Sequence, residues 1–456
     1  MRRLRSLYMP AIGIALACLL MPGLTRPALA TNLRAGPMPG YPMVLSAVVW
    51  VQADDEAQAS LEYWPHDTPA SRHRSRPISL DAAGSFAGQV HVHGLAPGLT
   101  YDYRILLDGR PTSRDAVGSF RTLQAATAAP PDVTVAIGSC AYLPDPLPFE
   151  SWLFQGLFNG PYGDTYGIFD TIAAKGPDLM VWLGDNLYIR PQDVGIPGGV
   201  SRRYWLHRSQ APLQALLRGT HHVALWDDHD MGWDNSDRHY WGRKASTDLF
   251  ERYWANPAYG TKQVPGIFSV VHLYDTDIFL LDDRTYRDAD ASPDQPTKQM
   301  LGPAQLAWLQ GELTRSTATF KLVCNGSQML NDQGDHEGWH HFPRERDRFL
   351  AWLAAANIPG VVLLSGDRHH SVLLQQPRAS RYPLYELTCS PLTSRPSVAL
   401  RPSTRIRMVA DTFVPRRNFG LLGIAGPAGA RALTITICDP LGQPIWAKTL
   451  TQQELR

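Results

Sequence analysis

Cysteine is scarce in this chain, with five in 456 residues. One of them, Cys18, stands in the N-terminal thirty residues, which leaves Cys140, Cys324, Cys389 and Cys438. So few thiols in a chain of this size exclude a disulfide-built scaffold, and stability has to come from a buried core. An excess of charge is missing too. Lys and Arg number 43 against 42 Asp and Glu, a formal net charge of +1, so no whole-chain field exists to draw nucleic acid or an anionic membrane. Any charged ligand must be held by a local site. Long apolar runs are also lacking, the stretch Ala11–Leu20 being too short for a membrane span, and there is neither an internal repeat nor a low-complexity tract. These absences exclude fibrous, disordered and multi-span membrane classes. What is abundant is glycine and proline, 37 of each, which implies many turns and loops on which function can ride. At roughly 100 to 200 residues per domain, the length implies two or three domains.

Residues 1–30 read as a signal peptide, and the protein is accordingly expected to be exported, periplasmic or secreted. Arg2, Arg3 and Arg5 precede the apolar run, and Ala28-Leu29-Ala30 supplies a small-x-small cleavage pattern. The Arg2-Arg3 pair hints at twin-arginine export, although Leu4-Arg5-Ser6-Leu7 matches that pattern poorly.

From Pro42 to Thr122 the pattern is one of short alternating segments separated by turns: Met43–Val51, Ala59–Trp64, Gly88–His93, Tyr101–Leu107 and Gly118–Thr122. With no helix-period run among them, this predicts a small antiparallel β-sandwich over 31–122. Its LAPGLTYDYRILLDG stretch resembles fibronectin type III domains. LQAATAAPP, within 123–131, has a linker's composition. Over 132–456 continuous apolar runs of strand length alternate with helix-period segments, which predicts an α/β layered domain. The strands are expected at 133–139, 178–184, 222–227, 277–282, 320–325 and 360–366. The helices are expected at 166–174, 204–217, 246–254, 303–316 and 344–356, and a closing hairpin is expected around DPLGQP.

The downstream ends of those buried strands carry the chemistry. VTVAIGSC ends at Cys140, DLMVWLGDNLY at Asp185 and Tyr188, HVALWDDHD at Asp227, Asp228, His229 and Asp230, IFLLDDR at Asp282, Asp283 and Arg284, and VVLLSGDRHH at Asp367, His369 and His370. In open α/β sheets ligands bind beyond the carboxyl ends of the strands, so these five segments are expected to converge on one crevice. So many carboxylates brought together without cations would repel one another. A metal site is the reading that follows. Carboxylates suit calcium, magnesium or manganese, whereas thiolate, phenolate and imidazole suit a transition metal such as iron, so two different metals are expected. His221, His222 and His370 read as packing residues. His336, His340 and His341 read either as a lid over the site or as plain surface, and Trp233 and Trp339 as candidate pocket walls.

GSCAY, GDNLY, WDDHD, LDDRTYR and SGDRH, in this order and after a sandwich domain, resemble the PhoD-like alkaline phosphatases, relatives of the purple acid phosphatases and the calcineurin-like metallophosphoesterases. The resemblance covers roughly Pro42 to Leu392. It implies an α/β/β/α metallophosphoesterase domain and a dinuclear or trinuclear centre of iron and calcium. Asp185 would bridge the metals. Cys140, Tyr188 and Asp367 would complete the iron site, and Asp228, His369 and either Asn235 or Asp234 would hold the second cation. His229 would sit beside the phosphoryl group, and Arg284 would contact phosphate or orient the neighbouring acids, a structural salt bridge being the equal alternative. The implied reaction is hydrolysis of small phosphate esters, monoester or diester, by a metal-activated hydroxide. A phosphodiesterase or phospholipase-like activity is the alternative, and a calcium-stabilised binding protein of the cell envelope is a third reading. Departures from the family pattern fall at GSCAY, at the following PDPLPFESW loop and at MGWDNSD.

Overall fold

A computed structural model describes residues 31–112, 117–125, 129–144, 163, 166–196, 198–334, 336–379, 381–399 and 405–456. The signal peptide expected over 1–30 and all but the first residue of the PDPLPFESW loop lie outside them. Residues 31–456 form one compact unit.

The N-terminal strands form two antiparallel sheets. Leu33–Pro39, Ser46–Ala53 and Ala87–His93 make one, and Ala57–Pro65 with Thr100–Leu107 centres the other. Val49, Val51 and Val90 face Leu61, Tyr103 and Ile105 across the sandwich core. Strand alternation sends Trp50 to the opposite face, where it joins the large core of the following layers. There the Arg208 guanidinium lies 4.2 Å from the Trp50 ring centroid and 4.3 Å from that of Trp254.

The remainder is built on two mixed sheets. The first runs, in spatial order, His221–Leu225, Leu179–Leu183, Val133–Gly138, Phe419–Ala425, Ala432–Cys438 and Pro444–Thr451. Its first three strands are parallel, with Ile137 opposite Val181 and Val181 opposite Val223, and the rest antiparallel. At the heart of the second sheet stand Thr276–Leu280, Phe320–Asn325, Val361–Ser365 and Leu384–Thr388, all parallel. Period-two alternation decides the layering. Ile278, Leu280, Leu322, Val362 and Leu364 pack in one core with Val135, Ile137 and Leu422 of the first sheet. Phe279, Val323 and Leu363 point the other way, onto helices Pro303–Arg315 and Pro343–Ala356 through Leu309, Leu313, Phe349 and Leu353. On the far side of the first sheet Phe169 of helix Gly167–Ala174 meets Trp182, with ring centroids 5.6 Å apart. The order is therefore helix, sheet, sheet, helix.

All six strands expected in this region form within two residues of their expected ends, and the C-terminal hairpin closes as expected. The helix expected over 204–217 does not run through. It ends at Arg208, and a short 3-10 turn over Ala211–Leu213 precedes Gln214–Gly219. The break falls at Gln210, which is extended (ψ 129°), and Pro212, which has no N–H to donate, stands in the first turn of the 3-10 segment that follows. Among the described residues no helix is long and apolar enough to cross a membrane.

Candidate metal centre

The parallel strands of both sheets end on the same side, and glycine lets their ends approach. A Cβ on Gly366 would meet the Leu183 carbonyl at 2.4 Å, and one on Gly326 the Asp227 carboxyl at 2.6 Å. At this convergence the chain leaves strand geometry through non-glycine residues in the left-handed region: Cys140 (φ 59°), Asp185 (φ 50°), Asp367 (φ 63°) and His369 (φ 54°). Such backbone costs of order 1–3 kcal/mol per residue and persists where the surroundings enforce it.

The WDDHD segment divides its labour. Asp227 caps the one-turn helix Asp228–Met231 and forms a reciprocal capping box with Asp230, whose carboxylate also accepts from the Asn186 amide at 3.0 Å. Capping thereby frees Asp228 and His229 to face the crevice. The Asp228 carboxylate accepts from the Asn235 backbone amide at 2.6 Å. His229 Nε2 stands 4.0 Å from Asp228 Oδ2 and 3.7 Å from Asp234 Oδ1.

Cys140, Asp185 and Tyr188 are buried together. Asp185 Oδ2 lies 3.6 Å from Cys140 Sγ and 3.1 Å from the Tyr188 hydroxyl, which in turn lies 3.2 Å from His369 Nε2. His369 donates from Nδ1 to the Arg395 carbonyl at 2.6 Å, so Nε2 keeps its lone pair for the crevice. Three sets of donor atoms gather within 4.8 Å of one another: Cys140, Asp185 and His369; Asp185, Asp228 and His229; Asp227, Glu337 and Asp367. Asp185 belongs to two of these sets. His369 thus keeps company with the thiol side, whereas the expected grouping put it with the second cation. Asp367 stands with Asp227 and Glu337, although the expected grouping put it with Cys140 and Tyr188. Asn235 is exposed and lines the crevice, and its side-chain amide donates to Asp234 at 2.8 Å.

Arg284 departs from the phosphate-contacting alternative. It is fully buried, forks onto Asp227 and Glu337, and donates to the Ser236 carbonyl at 3.2 Å and to the Ser327 hydroxyl at 3.3 Å. Asp283 lies 3.7 Å from its Nε. Three buried acids pair with it, so its placement fits the structural salt-bridge alternative. Trp339 is likewise no pocket wall: it is buried, and its indole donates to Glu345 at 3.0 Å. Trp233 is exposed beside the crevice-lining Asp234 and Asn235, and His336 and His341 line the crevice as well.

Electrostatics show what the thiol side requires. Burial above all, then Asp228 and Cys140, push the Asp185 carboxyl well above the usual range. Burial takes the Cys140 thiol up to about 12 against the pull of the Ser139 and Ser390 hydroxyls. Burial and Glu337 take Asp367 up to about 8. Asp228 is the exception, because His229, Arg284 and the Asn235 amide outweigh its burial and hold it at about 2. Asp185 Oδ1, Asp367 Oδ2 and His229 Nδ1 are buried and accept no hydrogen bond among the described residues. Buried oxygens aimed together without a partner are costly, and a cation is the group that satisfies them. The donor set fits metal ions.

Above this floor opens a cavity of about 960 Å³ whose wall includes Arg287, Arg368 and Arg395. Sequence reasoning missed these arginines and Glu337. Arg368, inside SGDRHH, had a positional signal. Arg287 closes the LDDRTYR motif and Glu337 adjoins His336 of the expected lid, whereas Arg395 stands on a loop whose approach to the site no local pattern announces.

Comparison with known proteins agrees with this architecture. Residues 269–417 match the family model of the PhoD-like phosphatases, and residues 30–125 match a domain of unknown function, DUF7800. Alkaline phosphatase D of Bacillus subtilis (strain 168) is 26% identical over 339 residues, covering 64% of this chain. The match spans 54% of that protein's length. A solved structure of PhoD superposes with a TM-score of 0.72 at 19% identity, covering 93% of this chain and 90% of the other. A purple acid phosphatase, PPD1 from yellow lupin (Lupinus luteus) seeds, superposes with a TM-score of 0.65 at 11% identity, covering 91% and 74%. Residues 269–417 thus resemble the PhoD-like phosphatases, and the chain as a whole shares the fold of the solved PhoD and purple acid phosphatase structures.

Proposed function

We propose that this chain is an exported, metal-dependent phosphoric ester hydrolase of alkaline phosphatase type. The observation that carries the reading is the position of Asp185, whose carboxylate belongs at once to a set with Cys140 and His369 and to a set with Asp228 and His229. One carboxylate shared by two donor sets is what adjacent cations need. Cys140, Tyr188, Asp185 and His369 would hold iron, the soft and phenolic donors suiting a transition metal. Asp185, Asp228 and Asn235 or Asp234 would hold calcium, and Asp367 would add a buried carboxylate beside Asp227 and Glu337. Bound there, the metals would supply Lewis acidity toward phosphate oxygens and lower the pKa of a water.

The chain's own residues do the rest. Arg368 and Arg395 on the cavity wall would face a phosphate lying over the acidic floor, whereas the buried Arg287 is paired with Asp290 at 2.7 Å. His229, its ring centroid 4.2 Å from that of Tyr188, presents Nε2 to the cavity and can protonate the departing oxygen. Arg284 holds Asp227 and Glu337 in place below. A cavity of about 960 Å³ exceeds what a phosphoryl group needs, which favours substrates with substituents on both sides of phosphorus and supports diester as well as monoester hydrolysis.

The test is elemental analysis with a visible spectrum on protein purified without added metal, followed by phosphate release from one monoester and one diester. Iron plus calcium, with a charge-transfer band lost in Tyr188→Phe and turnover on either ester, is the expected result. Calcium alone, with no band and no turnover, overturns the reading.

A further inference from the structure

The turn that follows strand Leu384–Thr388 touches three of the residues grouped on the thiol side. Ser390 Oγ donates to Cys140 Sγ at 3.0 Å and accepts from the His369 backbone amide at 3.0 Å. Four residues on, Ser394 Oγ donates to the Tyr188 oxygen at 3.0 Å. The next carbonyl, that of Arg395, takes the His369 Nδ1 proton. The turn is itself held: Arg417 Nε donates to the carbonyls of Thr393 at 3.0 Å and Ser394 at 3.1 Å, and the Ser390 amide donates to Ser371 Oγ at 3.1 Å. Ser390 and Ser394 are fully buried. Two buried hydroxyls a few residues apart, each donating to a different atom that becomes anionic on metal binding, are more than packing.

We infer that Ser390 and Ser394 are positioning residues that fix and electronically tune the thiolate and phenolate of the iron site. The inference rests on the iron assignment above. A deprotonated Tyr188 gives up the hydrogen it shares with Asp185 and His369, and Ser394 continues to donate to its oxygen. A hydrogen bond donated to a phenolate lowers its filled orbitals, and one donated to a thiolate does the same at sulfur. Groups behind the ligands of a metal typically change its affinity by about 10- to 100-fold when removed.

The experiment compares wild type, Ser394→Ala, Ser394→Thr and Ser390→Ala, each loaded with iron. Readouts are the wavelength of the charge-transfer band, the rate of iron loss to a chelator, and the melting temperature of the metal-free protein. Ser394→Ala is expected to move the phenolate band to longer wavelength and to lose iron about 10-fold faster. Ser394→Thr, which keeps the hydroxyl, returns both toward wild type, and the metal-free melting temperature stays unmoved. Ser390→Ala shifts the sulfur-to-iron absorption and carries the test alone where Ser394→Ala does not fold. A wild-type band that neither alanine variant displaces overturns this inference and leaves the iron assignment standing. Wild type that takes up no iron overturns both.

Discussion

The two halves of the centre manage buried negative charge in opposite ways. Below, Asp227, Asp283 and Glu337 surround Arg284, and the cation they need is part of the chain. Beside them, Cys140, Tyr188 and Asp185 are met by one another, by the Ser390 and Ser394 hydroxyls and by the His369 imidazole. The first half is partly neutralised from within, burial still raising all three carboxyls, whereas the second is neutralised only with something added. That difference separates a structural acid cluster from a ligand set more sharply than the number of acids does.

Breaking the internal half gives the largest effect. Arg284→Met should cost about 3–5 kcal/mol in denaturant unfolding, because it strands buried carboxylates. A loss under about 1 kcal/mol would mean that those acids are neutral in the native protein and that the contrast fails. Next is His229→Ala, expected to slow ester hydrolysis on the order of 100-fold with metal content unchanged. Loss of metal instead would move His229 into the ligand set with Asp185 and Asp228. Asp228→Asn is the counterpart and should lower the second cation's occupancy. Smaller again is Asp185→Asn on metal-free protein. Burial pushes its carboxyl well above the usual range, toward the uncharged form that the amide mimics, so the stability should change by less than about 1 kcal/mol while metal uptake fails. A large destabilisation of the metal-free protein would show that this half too is structurally self-sufficient.

The sandwich offers the inverse arrangement at the surface, one acid among three arginines. Glu62 meets Arg72 at 2.9 Å, Arg74 at 3.3 Å and Arg104 at 2.6 Å. Burial works against its charge, but the arginines outweigh it and hold the carboxyl below its usual value. The stability from this cluster is therefore present above the ordinary carboxylate range and disappears as pH falls through the depressed value. The arginine side chains are 43%, 61% and 35% exposed, so solvent screens the cluster. Glu62→Gln should cost no more than about 1 kcal/mol, less in high salt, and should flatten the acid limb of the stability profile. A cost approaching that of Arg284→Met would show that burial is not what separates the two.

Much of this was legible in the sequence because a strand buried on both faces leaves a continuous apolar run, and the polar residue that ends it is conspicuous. That is how Cys140, Asp185, Asp228 and His369 could be gathered before any coordinates. Pairings within the gathering could not be read. Whether His369 sits with the thiol or with Asp228 depends on how two sheets stack. The fate of Arg284 was equally hidden, since LDDR reads the same whether the guanidinium reaches a ligand or folds back on its neighbours. Ser390 and Ser394 left no trace, because a hydroxyl in a serine- and proline-containing loop carries no periodicity and no motif. Leu33–Pro39 was missed as a strand for a simpler reason, its two prolines and single glycine arguing against one.

The left-handed residues at the strand ends have a consequence of their own. Glycine would adopt φ near +55° at no steric cost, yet Cys140, Asp185, Asp367 and His369 bear side chains there. Each therefore marks a place where the chain gave up conformational ease to keep a chemical group. Replacing any of them by glycine should relax the backbone while silencing the donor. The crevice floor is thus marked by its backbone as well as by its chemistry, four donors standing where glycine would be at ease.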